Sequence, residues 1–521
     1  MDSIRVERLR CLSDTGDIKI KPLTVLLGQN SSGKSSFLRV FPLLKQSIES
    51  RTTGPILWSG RLVDFGNFND AHKRNADNNI AFSFKFQLKF SENSLINIYL
   101  TIQVSEDEEK QTTRTSKIAL RFEDSEIELE FDENECVTIF SVNSLDILSF
   151  GYQYMSQKFD TRSLLPIIME EIDKNKDNEI EKTLPLLMFA RSATFSGLFK
   201  TLTKQTKKYR PSKSEHTIRS GVYGFLRCLG NSENMLKYIQ QESFNTKSWK
   251  NKTSKWTIET EEFQQLRDLI IALEIPFILK ACDNTITDFS RQISYMGPIR
   301  ATAERYYRTQ DLAVDEVDYQ GKNLAMFLRN LTDEERKNFS EWTLEQFGFE
   351  PSIISSLGHI SLMIKHNNSD RDLNIADTGF GFSQILPIIT QLWLLSVFPK
   401  FQTKSASHSV NERIVTYAIE QPELHLHPRL QGTLTDTFVA AINTARNNDI
   451  DLRLVIETHS EVLVNRLGHL VAEKKISPDD INIVLFEPSE ESGEIQVRTS
   501  QFDAEGYLEN WPLGFFEMEL V

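Results

Sequence analysis

Gly28-Gln29-Asn30-Ser31-Ser32-Gly33-Lys34-Ser35 follows the apolar run Leu23-Thr24-Val25-Leu26-Leu27 and opens a segment of helical spacing. Strand, loop and helix in that order make a P-loop: the glycines let the chain turn tightly enough to aim backbone N–H groups at phosphate oxygens, and Lys34 adds a positive charge. The helix beginning near Gly33 directs its N-terminal dipole at the same anion, and the Ser35 hydroxyl is placed to bind Mg²⁺ between β- and γ-phosphates. The cofactor-binding residues expected here are Gly28, Gln29, Asn30, Ser31, Ser32, Gly33, Lys34, Ser35 and Ser36, with ATP and Mg²⁺ as cofactors. Pro42, lacking an N–H, is expected to kink or end the helix early.

The acidic strand that completes such a site lies about 385 residues downstream of Ser35. Arg413-Ile-Val-Thr-Tyr-Ala-Ile-Glu420 is an apolar run ending in a carboxylate, the Walker B pattern, with Glu420 where an Asp more often holds the Mg²⁺ shell. A split of this size implies one nucleotide-binding head interrupted by inserted structure, an arrangement that resembles ABC-type ATPases outside membrane transport. In such heads the next residue is usually a Glu that polarises the attacking water. Here it is Gln421, which cannot accept a proton, followed by Pro422 and Glu423. Either Glu423 substitutes, or hydrolysis is slow and nucleotide occupancy is the signal.

His425 and His427 read either as a two-histidine metal site or, on a strand exit, as part of a subunit contact where the D-loop of ABC heads lies. Leu452-Arg-Leu-Val-Ile-Glu-Thr-His459 is a further buried strand ending in a polar cluster, and His459 matches the switch histidine that senses the γ-phosphate. The candidate catalytic residues are therefore Glu420, Gln421, Glu423 and His459, and the candidate metal ligands Ser35 and Glu420. Asp377-Thr-Gly-Phe-Gly-Phe-Ser-Gln384 forms a Gly-rich entrance to an apolar helix, suited to grasping an anion. Its position is where ABC proteins carry the signature that closes on ATP bound by a second subunit, although the LSGGQ wording is absent. That likeness implies contacts from Gly379, Gly381 and Ser383 and a head-to-head dimer with two composite sites.

At 521 residues the chain is long enough for two or three structural units. Its 40% hydrophobic and 25% charged content is that of a globular protein, and no apolar run approaches the ~20 residues of a membrane span. The N-terminus, MDSIRVERLR, carries no signal-peptide core, so a cytoplasmic location is expected. Cys11, Cys136, Cys228 and Cys282 include no CxxC pair and read as buried free thiols rather than a zinc or disulfide framework. The net charge of −14 is unevenly spread: from Lys200 to Lys255 thirteen Lys and Arg meet three acids, Glu215, Glu233 and Glu242. Tyr209, Tyr223, Tyr238, Phe244, Trp249 and Trp256 interleave with them. Two readings stand: a surface at 200–255 that tracks the phosphates and stacks on the bases of DNA or RNA, or the solvated basic face of a helical insert.

The expected organisation has three parts. Residues 1–150 form the N-terminal part of the head, with the P-loop and a β-meander whose alternation begins at Ile80, Phe82, Phe84 and Phe86. Residues 151–290 form a mainly helical, basic insertion without the heptads of a coiled-coil strut. Residues 291–521 form the C-terminal part of the head, with a helix over about 322–347, a hairpin near 352–365, and strands at 413–420, 452–458 and 482–487. The fold class is α/β: an ABC-type P-loop ATPase head, a mixed sheet plus an antiparallel β-subdomain, with a mainly helical insertion. Asp503, Glu505 and Glu509 lack a βαβ framework and read as surface residues. Trp511, Phe515 and Phe516 read as a docking or core-closing tail.

GQNSSGKS, LVDFGNFND at 62–70, YMGPIR at 295–300, DTGFGFSQILPI, IEQPELHLHP, ETHSE and WPLGFFEMEL together resemble the AAA15/AAA21-type ATPases of prokaryotic antiphage defence. The set is most similar to the Septu-type PtuA ATPase subunit, including versions attached to retrons, and more distantly to overcoming-lysogenization-defect nucleases. The resemblance covers both ends of the chain and leaves out the insert. It implies a dimeric or higher-order head that works with a separate HNH-type nuclease; the lack of a long apolar run leads to the expectation of no membrane partner. About 60 residues follow His459, too few for the Toprim nuclease that the distant relatives append. Two other readings remain open: a nucleotide-clamped scaffold with little turnover, and a stand-alone DNA-repair ATPase.

Overall fold

The computed structural model describes residues 1–74, 76–91, 94–107, 111–157, 162–171, 195–210, 213–225, 229–241, 247–367, 371–397, 413–489 and 492–511. Cys228, Phe244, Phe515 and Phe516 lie outside them. The chain divides into two compact units. One contains Met1–Arg8, Ser47–Leu57 and Gly66–Asp288, the other Leu9–Gln46, Trp58–Phe65 and Phe289–Val521.

The second unit is built on a seven-stranded sheet. Its order is Ile293–Met296, Arg413–Glu420, Ile450–Glu457, Leu23–Gly28, Ile481–Pro488, Ile495–Phe502 and Leu508–Glu509. The first five strands run parallel and the last two antiparallel. Parallel strands are covered on both faces, which is why Leu23–Gly28 is buried at every position and reads as a continuous apolar run. The strand Ile450–Glu457 lies between the P-loop strand and the Walker B strand, so the residues at the ends of all three converge on one edge. Ligands of parallel sheets bind at that edge. This is an α/β architecture with the P-loop at the carboxyl edge of a largely parallel sheet.

The helix Phe380–Val397 is long and apolar enough to cross a membrane by composition, contrary to the expectation that no run approaches a span. Its side chains Ile385, Ile388, Ile389, Leu392 and Trp393 are instead fully buried in the core of this unit, which explains the all-round apolar sequence. The single helix expected at 322–347 is two, Leu324–Asn330 and Asp333–Phe347. Leu331, in an extended conformation, ends the first, and Thr332 caps the second in a reciprocal capping box with Glu335. The helix after the P-loop also breaks: Lys34–Leu38 stops at Arg39 and Val40–Glu49 follows. Pro42 cannot donate to the Leu38 carbonyl, which places the break one turn before it.

The first unit carries an antiparallel meander through Ser3–Leu9, Ile80–Ser91, Ser94–Asp107, Thr112–Phe122, Ser125–Phe131, Val137–Val142 and Leu145–Asp146. Its period-two pattern fixes the register, since a one-residue slip would turn every apolar side chain to the wrong face. Ile4, Phe84, Leu100, Leu120, Ile127 and Val142 thus form one buried row across six strands. A short hairpin, Tyr154–Gln157 with Ile167–Glu170, precedes the helices Ser196–Tyr209, Glu215–Phe225, Ser232–Gln241, Lys247–Thr253 and Glu261–Arg291.

In this region Tyr223, Phe225 and Trp249 on the helices, and Trp256 in the turn after Lys247–Thr253, are buried. Tyr209 packs edge-on to both tryptophans, and Trp249 Nε1 donates to the Ile239 carbonyl. These rings are the core that holds short helices together, and Tyr223, Trp249 and Trp256 are not a stacking platform for bases. Cys282 is buried as expected, whereas Cys136 is exposed and Cys11 half-buried.

Candidate active site

The loop after Leu23–Gly28 takes conformations that only its sequence allows. Gly28 has φ +153°, and a Cβ there would lie 2.3 Å from the Phe486 carbonyl of the neighbouring strand. Gly33 has φ +94°, and a Cβ would meet Leu12 Cδ2 at 2.5 Å. Ser31, at φ +63°, completes the reversal. Lys34 is 3% exposed, and its ammonium donates to the carbonyls of Gly28 at 2.9 Å and Gln29 at 2.6 Å. Burial lowers its pKa, with Glu457 and Glu423 acting in the opposite direction. The lysine is thus folded back over its own loop, and Gln29, Asn30 and Ser31 form the exposed rim. Ser32 is buried with its hydroxyl unpartnered, while Ser36 is half-buried.

The strand-end acids divide their work in a way the motifs did not indicate. Glu420 is 2% exposed and takes a bidentate pair from Arg39, Nε and Nη2 each at 2.8 Å. Tyr295 Oη donates to Glu420 Oε1 at 2.7 Å. The Arg300 guanidinium donates to the carbonyls of Glu420 at 2.8 Å and Gln421 at 3.1 Å, and burial lowers its pKa to about 10. Its bond to Glu420 raises the pKa of Arg39. The Ser35 hydroxyl donates to Glu457 Oε1 at 2.7 Å. Among the described residues, then, the P-loop serine is hydrogen-bonded to Glu457, and Glu420 is bonded to Arg39, Tyr295 and Arg300. Burial raises Glu457 to about 7; its bond from Ser35 opposes the shift and Glu420 adds to it.

Gln421 follows with φ +43°, a left-handed backbone that turns the chain sharply off the strand. Glu423 Oε1 accepts the His459 backbone N–H at 2.7 Å, while its buried Oε2 has no partner. Burial raises the Glu423 pKa against that bond. Burial lowers the His459 pKa, and the charge of Lys34 adds to the shift. Ser460 caps the helix Glu461–Ala472 and donates to Gln431 Oε1 at 2.6 Å, which fixes the backbone on the far side of His459.

The signature-like loop is a separate feature of the same unit. Gly379 is exposed at φ +89° with open space where a Cβ would lie. Ser383 is buried, and its hydroxyl donates to the Phe380 carbonyl inside its own helix. A Cβ on Gly381 would meet the His425 carbonyl at 3.4 Å, and the Phe380 ring stands edge-on to His425 at 4.8 Å. His427 instead caps the helix Pro428–Asn447 through Nδ1. Among the described residues no cluster of three His, Cys, Asp or Glu surrounds the two histidines. Asp503 and Glu505 lie in a turn after Phe502, where Asp503 accepts backbone N–H groups from Glu505 and Tyr507, and Glu509 lies on the final edge strand. Trp511 packs against the core.

Sequence reasoning missed Glu457, Arg39, Tyr295 and Arg300. YMGPIR and ETHSE are legible as motifs in the sequence, but the partners of their side chains follow only from strand order.

A family profile described as AAA ATPase domain (AAA_15) matches residues 1–464. Endonuclease GajA of Bacillus cereus (strain HuB5-5) is 26% identical over 112 residues, which cover 20% of this chain and only 16% of GajA. Among solved structures, the SMC head bound to the C-winged helix domain of ScpA aligns with a TM-score of 0.33 at 9% identity, covering 96% of this chain and 97% of that one. The SMC head domain from Thermotoga maritima aligns with a TM-score of 0.34 at 8% identity, covering 95% and 97%. The recombination mediator RecF, solved in a nucleotide-bound form, aligns with a TM-score of 0.27 at 11% identity, covering 95% and 97%. Because the matching profile spans the P-loop, both carboxylate-bearing strands and His459, the chain belongs to the AAA ATPase domain family.

Proposed function

We propose that this protein binds and hydrolyses ATP at the Gly28–Ser36 loop, as a dimeric ABC-type head that regulates a separate effector nuclease in antiphage defence. The observation that carries the ATP reading is the convergence of Lys34, Ser35, Glu423, Glu457 and His459 on one sheet edge. The loop's N–H groups would hold phosphates, and a triphosphate would draw the Lys34 ammonium away from the Gly28 and Gln29 carbonyls. Ser35 and a strand-end carboxylate offer the hard oxygen donors that Mg²⁺ takes, and the ion when bound neutralises charge on the β- and γ-phosphates. Glu423 is the residue proposed to accept the proton of the attacking water: it is a carboxylate with a free buried oxygen, and its charge acts on Lys34. Its bond to the His459 backbone couples that oxygen to the position of the switch histidine.

Lys34→Ala is expected to lose ATP binding in a fluorescent-nucleotide titration; unchanged affinity would place the nucleotide elsewhere. Glu423→Gln should keep binding and lower phosphate release by roughly 10²-fold. Gln421 favours a second reading, a nucleotide-clamped scaffold, which no phosphate release from the wild-type protein would support. The dimer and the effector rest on the likeness of 377–384 to an ABC signature and on the defence-ATPase motifs, with the GajA match as support. Native purification with identification of the co-purifying nuclease tests the effector. Light scattering with and without ATP and Mg²⁺ tests the dimer.

A further inference from the structure

Glu457 and Glu420 are register partners on adjacent parallel strands, and Glu457 also pairs with Leu26 of the P-loop strand. Glu457 is therefore the acid next to the P-loop, with Glu420 one strand further away. It is 2% exposed, its Oε1 accepts the Ser35 hydroxyl, and its Oε2 is buried with no partner. A buried carboxylate oxygen without a donor is costly. The charges of Lys34 and Arg39 act on Glu457 but nothing donates to its Oε2, whereas a bound cation with its water shell would satisfy that oxygen. Glu420 differs in each respect: Arg39 occupies both its oxygens and Tyr295 adds a third bond. An acid already neutralised by a guanidinium has little charge left to offer a metal.

We infer that Glu457, with Ser35, is the carboxylate that holds the divalent cation of this site, and that Glu420 is a positioning residue that fixes Arg39, Tyr295 and the strand end. The inference deepens the ATP-site reading and rests on it. The Ser35–Glu457 hydrogen bond would be exchanged for two oxygen ligands on one cation, and Oε2 would gain its partner from the cation's water shell.

The test is a titration of a fluorescent ATP analogue in Mg²⁺ and in EDTA, on the full chain. In wild type, Mg²⁺ should tighten binding. Glu457→Gln should reduce that Mg²⁺-dependent gain, taken as the ratio of the variant's own affinities in Mg²⁺ and in EDTA, by about 10- to 100-fold. Retention of the full gain in Glu457→Gln, with its loss in Glu420→Gln, would overturn the inference. A wild type that binds no nucleotide in either condition would instead remove the ATP-site reading itself. A double-mutant cycle with Ser35→Ala guards against a folding effect. If the two residues serve one cation, the pair loses no more of the Mg²⁺-dependent gain than either alone, and additive losses would overturn the assignment.

Discussion

Arg39 lies one helical turn beyond Ser35, so the two side chains share a face, yet they reach acids on different strands. The Arg39–Glu420 pair is half of a small charge system in which the carboxylate is 2% exposed and the guanidinium 34%. Removing the guanidinium strands a buried charge. Arg39→Ala is expected to cost about 2–3 kcal/mol of unfolding free energy, below the fully buried case because one partner is partly solvated. Urea titration measures it, and a loss under 0.5 kcal/mol would show that water or Tyr295 alone satisfies Glu420. At this scale the sequence was half legible. The loop residues are identified by type and spacing, because their chemistry is local. The carboxylate that meets Ser35 is not, because it depends on which strand inserts beside the P-loop strand, and Glu420 and Glu457 carry equally good strand-end signals.

Elements were legible where a single period or a single residue governs them. The meander strands follow from alternation, and the interruption near Pro42 from the missing N–H. The break at Leu331–Thr332 was also encoded, as Thr332 three residues before Glu335, but it lies within an otherwise helical pattern that conceals it. Thr332→Ala should remove the acceptor for the Glu335 N–H and cost about 1 kcal/mol in chemical denaturation. No change would mean that solvent satisfies the exposed helix end. Gly28→Ala is a harsher case. The new methyl meets the Phe486 carbonyl, a backbone atom fixed by a parallel ladder, so it cannot be accommodated by a rotamer change. Loss of both ATP binding and thermal stability is expected. A variant with wild-type melting and binding would show that the strand pair can part at its end without consequence.

Over the whole molecule, charge is the property that sequence and structure read differently. The chain is −14 overall, yet the helices of the first unit concentrate Lys. Lys200, Lys204, Lys207 and Lys208 are exposed along one side of Ser196–Tyr209, while Leu198 and Leu202 are buried on the other. The ammonium of Lys252 donates to the Tyr209 carbonyl, which brings the basic helix Lys247–Thr253 to the end of this row. With Tyr223, Trp249 and Trp256 inside, any nucleic acid held on the face would be held through its phosphates, with weak sequence preference and strong salt dependence. Reversing Lys204, Lys207 and Lys208 to Glu changes exposed side chains, so folding should shift by no more than about 0.5 kcal/mol. Affinity for single-stranded RNA or DNA should fall, and the slope of log K against log salt should flatten by about 2, from ~0.7 per phosphate contact at three contacts. A slope equal to wild type would assign the row to solvent, as the ordinary basic face of a helical insert.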